Sequence, residues 1–223
     1  MKNRRQAFKF MNSKYLDDFL KMGRMRIGTA SDFRVPDGLT GARSDEHEMS
    51  TVLSKPGRGL SLDWQDPQMR AIHDDFGISA KEIHIGASGS LTFNYNCYMF
   101  CMSWRLDNKI FDRMMKEFDA DICVAILDVH RFIDMITMSS SNLLDDDRLL
   151  NRVYYKSKPV LPSYQRPQPF QKRPIFSWQH ELRAVWGGVE NPAGFMLDVP
   201  GLSEILEPVA PSDWRKYSRL RPL

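Results

Sequence analysis

Phe8 and Phe10 flank Lys9, an alternation that predicts a short strand. Tyr15, Leu16, Phe19 and Leu20 then fall on one face at helical spacing, which predicts a helix over Lys14–Met22. Ser13 stands where it can cap the first turn, Asp17 and Asp18 suit the positive end of the helix dipole, and Gly23 ends it. Met25–Thr29 reads as a second strand, so the chain opens strand, short helix, strand. Two more alternating runs, at Ile83–Ile85 and Leu91–Tyr95, are joined by Gly86-Ala87-Ser88-Gly89 and predict a hairpin. Tyr98–Ser103 is a compact apolar run expected to be a buried strand. Ile110, Phe111, Met114, Met115 and Phe118 give an amphipathic helix, and Asp121–Leu127 a further buried strand, after which Asp128 caps a short helix through Ile136. In Phe176–Trp186, Leu182, Ala184 and Trp186 face one way while Glu181, Arg183 and Val185 face the other; Phe195–Val199 is the last expected strand.

Between these elements lie two stretches without a core period. From Ser31 to Gly59 the breakers Pro36, Gly38, Gly41, Pro56 and Gly57 surround the charged run Arg43–Glu48, and predict a long loop at about 31–60. From Lys156 to Pro174 the chain carries Pro159, Pro162, Pro167, Pro169 and Pro174, which predicts an extended surface segment. Strands outnumber helices and successive strands are close in sequence. The expected architecture is therefore a single α+β domain over residues 1–223, with a mostly antiparallel, strongly bent or split sheet and short flanking helices.

Composition narrows the function classes. The chain of 223 residues is 42% apolar with a net charge of +3, which excludes global disorder. Its longest apolar runs, such as Ile122–Leu127, are far shorter than the roughly 20 residues of a membrane span. The basic start Met1-Lys2-Asn3-Arg4-Arg5 is followed by no apolar stretch of signal-peptide length, so a cytoplasmic location without membrane partners is expected. Cys97, Cys101 and Cys123 are an odd number with no zinc spacing and read as buried free thiols. The tail Arg215–Arg221 is the one basic cluster, either a nucleic-acid patch or a solvated terminus.

The chemistry-bearing segment is Trp178-Gln179-His180-Glu181-Leu182-Arg183. In extended backbone Gln179 and Glu181 would point to the same side. A carboxylate beside an amide can take a hydrogen bond from a sugar hydroxyl and stabilise a developing oxocarbenium ion; the alternative is that Glu181 and Arg183 form a surface ion pair of little worth. Arg26 lies on an expected strand with Thr29 and Ser31 beyond it, and its planar fork suits a phosphate, unless it is simply an exposed strand residue. Ser103, at a strand end, can orient a ligand or cap an edge. Asp45, Glu46 and Glu48 are the densest carboxylates, but no second cluster completes a metal site. The five histidines are scattered and fit no hydrolase or zincin motif, and the methionines Met114 and Met115 read as core packing.

Several of these segments together resemble a family of uncharacterised bacterial and phage proteins, DUF2971. The resemblance is carried by Phe8-Lys9-Phe10, Gly23 and Met25–Arg34 at the start, then Arg43–Glu48. Phe100-Cys101-Met102-Ser103 follows in the middle, and Phe170-Gln171-Lys172 with Trp178–Arg183 closes it. Gln179 departs from that family's Glu-x-Glu, and the resulting Gln-x-Glu resembles the loop motif of ADP-ribosyltransferases, which are similar in the order Arg26, Ser103, Glu181. That resemblance implies NAD as substrate. It has Arg26 on a phosphate, Ser103 bracing the nicotinamide side, Glu181 on the ribose hydroxyl and Gln179 orienting the nucleophile, with Thr29 and Arg183 at the same cofactor site. The implied partner is a macromolecular target, protein or nucleic acid, in phage–host conflict. Two other readings stand beside it: a non-enzymatic phage or mobile-element protein that inhibits a host factor, and a nuclease-like toxin built on Asp45, Glu46 and Glu48. Oligomeric state is left open.

Overall fold

Most of the predicted strands form, and they assemble on one long central strand. In the computed structural model the described residues are 6–34, 45, 49–54, 84–85, 90–94, 96–140, 144, 148–156, 169–188, 193–210 and 212–218. The chain opens with β1 (Ala7–Met11), a 3-10 turn Ser13–Tyr15, α1 (Leu16–Met22), β2 (Met25–Thr29) and α2 (Ala30–Arg34). β3 (Ser50–Ser54), β4 (His84–Ile85) and β5 (Ser90–Asn94) make a separate small antiparallel sheet with β5 central, which includes the expected hairpin. β6 (Cys97–Ser103), α3 (Asn108–Glu117), β7 (Ile122–Ile126), α4 (Val129–Ser139) and β8 (Leu149–Arg152) follow. The last elements are β9 (Tyr154–Tyr155), β10 (Gln171–Lys172), a 3-10 turn Pro174–Gln179, β11 (Glu181–Gly188), β12 (Phe195–Leu197), β13 (Leu206–Val209) and α5 (Trp214–Ser218).

The main sheet has eight strands in the order β12-β2-β6-β1-β7-β13, with β11 on the other edge of β6 and β8 beyond β11. All of its pairings are antiparallel, so the α+β, mostly antiparallel architecture is the observed one. Alternation along each strand sends side chains to two different cores. Ala7, Phe100, Met102, Val124, Ile126, Leu182, Ala184 and Trp186 meet Phe19 of α1 and Phe132, Ile133 and Ile136 of α4 on one face. Phe8, Cys123, Ala125 and Val209 meet Phe111 of α3 and Tyr217 of α5 on the other. Trp186 is fully buried, and its Nε1 donates to Thr137 Oγ1 at 3.1 Å, which leaves no polar atom of the indole orphaned in the core.

The helix signals are partly realised. Asp128 caps α4 through Arg131 N as the sequence predicts, and Asp107 caps α3 through Ile110 N. Ser13 does not cap α1. Its Oγ donates to Asp121, and Asn12 instead accepts from Lys14 N to start the 3-10 turn that precedes the helix. Gly23 ends α1 in the left-handed region at φ 65°. A Cβ there would lie 2.0 Å from Val199 O, so both its conformation and its surroundings require glycine.

Two predicted loops are more structured than their composition implies. The 31–60 stretch contains the end of α2 and β3, and the proline-rich segment ends in β10, paired parallel to β9. Prolines flank β10 but do not occupy it, so its ladder bonds survive. β8, β9 and β13 carried no clear sequence period; β13 sits at a sheet edge, where Pro208 is tolerated. Among the described residues no helix is long and apolar enough to cross a membrane.

Candidate functional site

β11 covers one edge of β6 along its whole length, from Glu181 opposite Ser103 to Gly188 opposite Cys97. The other edge is shared. β2 holds its beginning, with Gly28 opposite Met99 and Thr29 opposite Tyr98, and β1 holds its end, with Phe8 opposite Ser103. Among the described residues, Phe100, Cys101 and Met102 have no strand partner on that edge, and β1 and β2 part around them. Lys9 reaches across the opening, and its Nζ donates to Cys101 O at 2.9 Å. The parted strands leave a cavity of about 460 Å³, a size typical of small-molecule sites. Arg26, Ser103, Gln179, Glu181 and Arg183 all line it, although they come from three separate segments of the chain.

Glu181 is the centre of the floor. Its Oε1 accepts from Arg183 Nε at 2.6 Å and its Oε2 from Lys172 Nζ at 3.1 Å, and all three side chains are at least nine-tenths buried. Burial alone would push the Glu181 carboxyl up, but the Arg183 guanidinium and the Lys172 ammonium outweigh it, with hydrogen bonds from Arg183 and the Cys101 thiol. The carboxyl is held well below the usual carboxylate range and is ionised at neutral pH. The Cys101 thiol is pushed up, first by burial and then by the Glu181 charge, so it faces the site as a thiol and a donor. Tyr155 is also pushed up by burial and by Glu181, and its hydroxyl accepts from Glu181 N at 2.9 Å. Arg183 is anchored in turn by donating from Nη1 to Pro169 O at 2.6 Å.

Gln179 arrives by a route the sequence did not suggest. It does not precede Glu181 in extended backbone; it ends the 3-10 turn Pro174–Gln179, and His180 follows in the left-handed region at φ 44°. Such a conformation is costly for a residue with a side chain and is sustained only by its surroundings. Trp104 N donates to His180 O at 2.9 Å, and the His180 ring packs edge-on against Trp104. What unites Gln179 with Glu181 is a shared cation, because Lys172 Nζ also donates to Gln179 Oε1 at 2.9 Å. Ser103 lines the cavity, yet its hydroxyl lies 2.8 Å from the Arg105 carbonyl and 2.9 Å from the Gln179 carbonyl and shares its single proton between them. Its observed contacts therefore hold the turn that carries Gln179.

The rim has a different character. Arg26 is 55% exposed and pairs with Asp32 at 3.0 Å. Thr29 is not among the residues lining the cavity; its backbone N–H donates to Asp32 Oδ2 at 2.7 Å and so orients the carboxylate that meets Arg26. Among the described residues lining the cavity, the five cations Lys9, Lys14, Arg26, Lys172 and Arg183 face the three acids Asp32, Asp119 and Glu181. That balance favours an anionic ligand. Phe8, Phe10, Tyr15, Phe33 and Phe118 contribute aromatic surface to the same walls.

The other sequence candidates lie elsewhere. Asp45 is buried and pairs with Arg173 at 2.9 Å, while Glu46 and Glu48 lie outside the described residues. Among the described residues no group of three His, Cys, Asp or Glu side chains could hold a metal. In the basic tail, Lys216 pairs with Glu207 at 2.6 Å and Tyr217 packs edge-on against Phe8; Arg219 and Arg221 lie outside the described residues. Sequence reasoning gave no role to Lys172, Lys9, Cys101, Tyr155 or Asp32. Lys172 was hidden because it sits among prolines, and its one signal was the Phe170-Gln171-Lys172 resemblance. No family model matches the chain, and neither the curated proteins nor the solved structures contain a match.

Proposed function

We propose that this chain is an ADP-ribosyltransferase-like enzyme that cleaves NAD and modifies a protein or nucleic-acid target. The observation that carries the reading is that Arg26, Ser103, Gln179 and Glu181 wall one cationic cavity where β1 and β2 part on a single edge of β6. In the proposed reaction the bond between ribose C1′ and the nicotinamide nitrogen breaks, and both electrons leave on nicotinamide. The ribose then carries oxocarbenium character. A fixed, ionised Glu181 lowers the energy of that charge and accepts a hydrogen bond from a ribose hydroxyl; preorganised groups of this kind supply several kcal/mol. The target's nucleophile donates its lone pair to C1′ and releases its proton to solvent. Arg26, on the rim, exchanges Asp32 for a phosphate of NAD, for which a guanidinium fork is well shaped. Ser103 acts through the Gln179 turn it holds.

The resemblance to ADP-ribosyltransferases supports the same reading, and a role in phage–host conflict is part of it. A second reading, a non-enzymatic protein that binds a host factor, is favoured by the two cations that neutralise Glu181. Nicotinamide release separates the two. The parent protein should release nicotinamide from NAD in the presence of cell extract, and a Lys172→Met/Glu181→Gln double variant should not.

A further inference from the structure

The geometry points to Lys172 as the positioning residue that locks Gln179 and Glu181 into one constellation at the cleft. This rests on the reading of Glu181 as the catalytic carboxylate. The two residues are close in sequence but sit on different elements, one ending a 3-10 turn and one opening β11, and with the left-handed His180 between them the backbone keeps them near without setting how their side chains align. One ammonium joins them, at 2.9 Å to Gln179 Oε1 and 3.1 Å to Glu181 Oε2. Charge balance does not require it, because Arg183 already pairs with Glu181 at 2.6 Å. What Lys172 adds is the link to Gln179. Since an ammonium only donates, Gln179 must turn its oxygen toward Lys172, which leaves the NH2 edge for its other contacts.

The site is built to hold that ammonium still. β10 pairs with β9 so that Lys172 lies opposite Tyr155, whose hydroxyl accepts from Glu181 N at 2.9 Å. The same two-strand unit thus fixes both the backbone of Glu181 and the cation on its carboxylate. The Phe176 ring, from the turn that carries Gln179, lies 4.7 Å from Lys172 Nζ. An ammonium held by a ring, an amide and a carboxylate, with little access to water, has few alternative rotamers.

The test is Lys172→Met, which keeps an unbranched stem of similar length and removes only the charge and donors. Two readouts are taken on the full chain: nicotinamide release from NAD, and the Gln179 side-chain amide resonances. The expected result is a kcat about 100-fold lower with KM for NAD within about threefold, as for a displacement of about 1 Å in a positioned group. The Gln179 amide signals should shift and broaden. A kcat within about threefold of the parent overturns the proposal, as does a loss that simply follows a fall in Tm. If the parent releases no nicotinamide, the NAD reading fails by itself and the amide resonances decide. Altered Gln179 signals in Lys172→Met then support the lock, and unaltered ones overturn it.

Discussion

Replacing Glu181 with Gln should unfold the site before it reports on catalysis. The change is nearly isosteric, but it removes the only anion that Lys172 bonds among the described residues. At an effective dielectric of about 20, contacts of 2.6 and 3.1 Å correspond to gross attractions of about 6 and about 5 kcal/mol. Desolvation of three buried ions offsets most of that in the parent, so the intact cluster contributes little net stability. The variant loses the attraction while Lys172 and Arg183 stay desolvated, at 9% and 1% side-chain exposure. Breaking a buried pair in this way costs about 3–5 kcal/mol. For a chain of 223 residues, where each kcal/mol moves Tm by about 2–4 °C, the expected fall is about 6–20 °C. Differential scanning fluorimetry and urea denaturation measure it directly. Adding Lys172→Met should recover part of the loss, because one unpaired cation goes with it, and the double-mutant cycle isolates the coupling. A Glu181→Gln Tm within about 2 °C of the parent would refute the reasoning, since it would mean the two cations are solvated or satisfied without the carboxylate.

Four further outcomes follow from the same geometry. Because the folded carboxyl of Glu181 lies below its unfolded value of about 4.3, the native state binds fewer protons than the unfolded chain, and the stabilisation is complete above that value and lost as pH falls through the folded one. Urea midpoints between pH 7 and pH 3 should therefore drop more steeply for the parent than for Lys172→Met/Glu181→Gln; parallel curves would contradict the assignment. Arg26→Gln should raise KM for NAD about tenfold or more with Tm unchanged, since the side chain is 55% exposed and pairs only at the rim; a normal KM removes Arg26 from the cofactor site. Ser103→Ala should cost about 1–3 kcal/mol, because the buried Gln179 carbonyl loses a donor, and urea denaturation reads that cost. Gly23→Ala should cost well over 1 kcal/mol, given φ 65° and a carbonyl oxygen 2.0 Å from the new Cβ; a near-native Tm would mean α1 can end differently.

The alternation in β1 and β11, the continuous apolar runs of β6 and β7 and the helical spacing in α1, α3 and α4 were legible, because each sequence states directly which of its faces are buried. Leu182, Ala184 and Trp186 entered the main core and Val185 a different one, as their alternation required. The long-range pairing was not legible. Nothing local in Phe8 or Gly28 says that both strands dock on the same edge of β6, and the cavity exists only because they do. Gln179 and Glu181 were singled out for a spacing that the backbone does not use; the 3-10 turn and left-handed His180 are tertiary outcomes, held by Ser103, Trp104 and Lys172. Lys172 was obscured by its own neighbourhood, where prolines argue for surface and a parallel strand pair instead carries the side chain inward.

Nicotinamide release from NAD, with cell extract as a source of acceptors, decides whether the cavity is a transferase site. The parent protein is compared with Lys172→Met/Glu181→Gln, after urea midpoints have established that both are folded. The parent should release nicotinamide, and the double variant none above background. Equal release by both, or none by the parent with any acceptor source, would contradict the transferase reading.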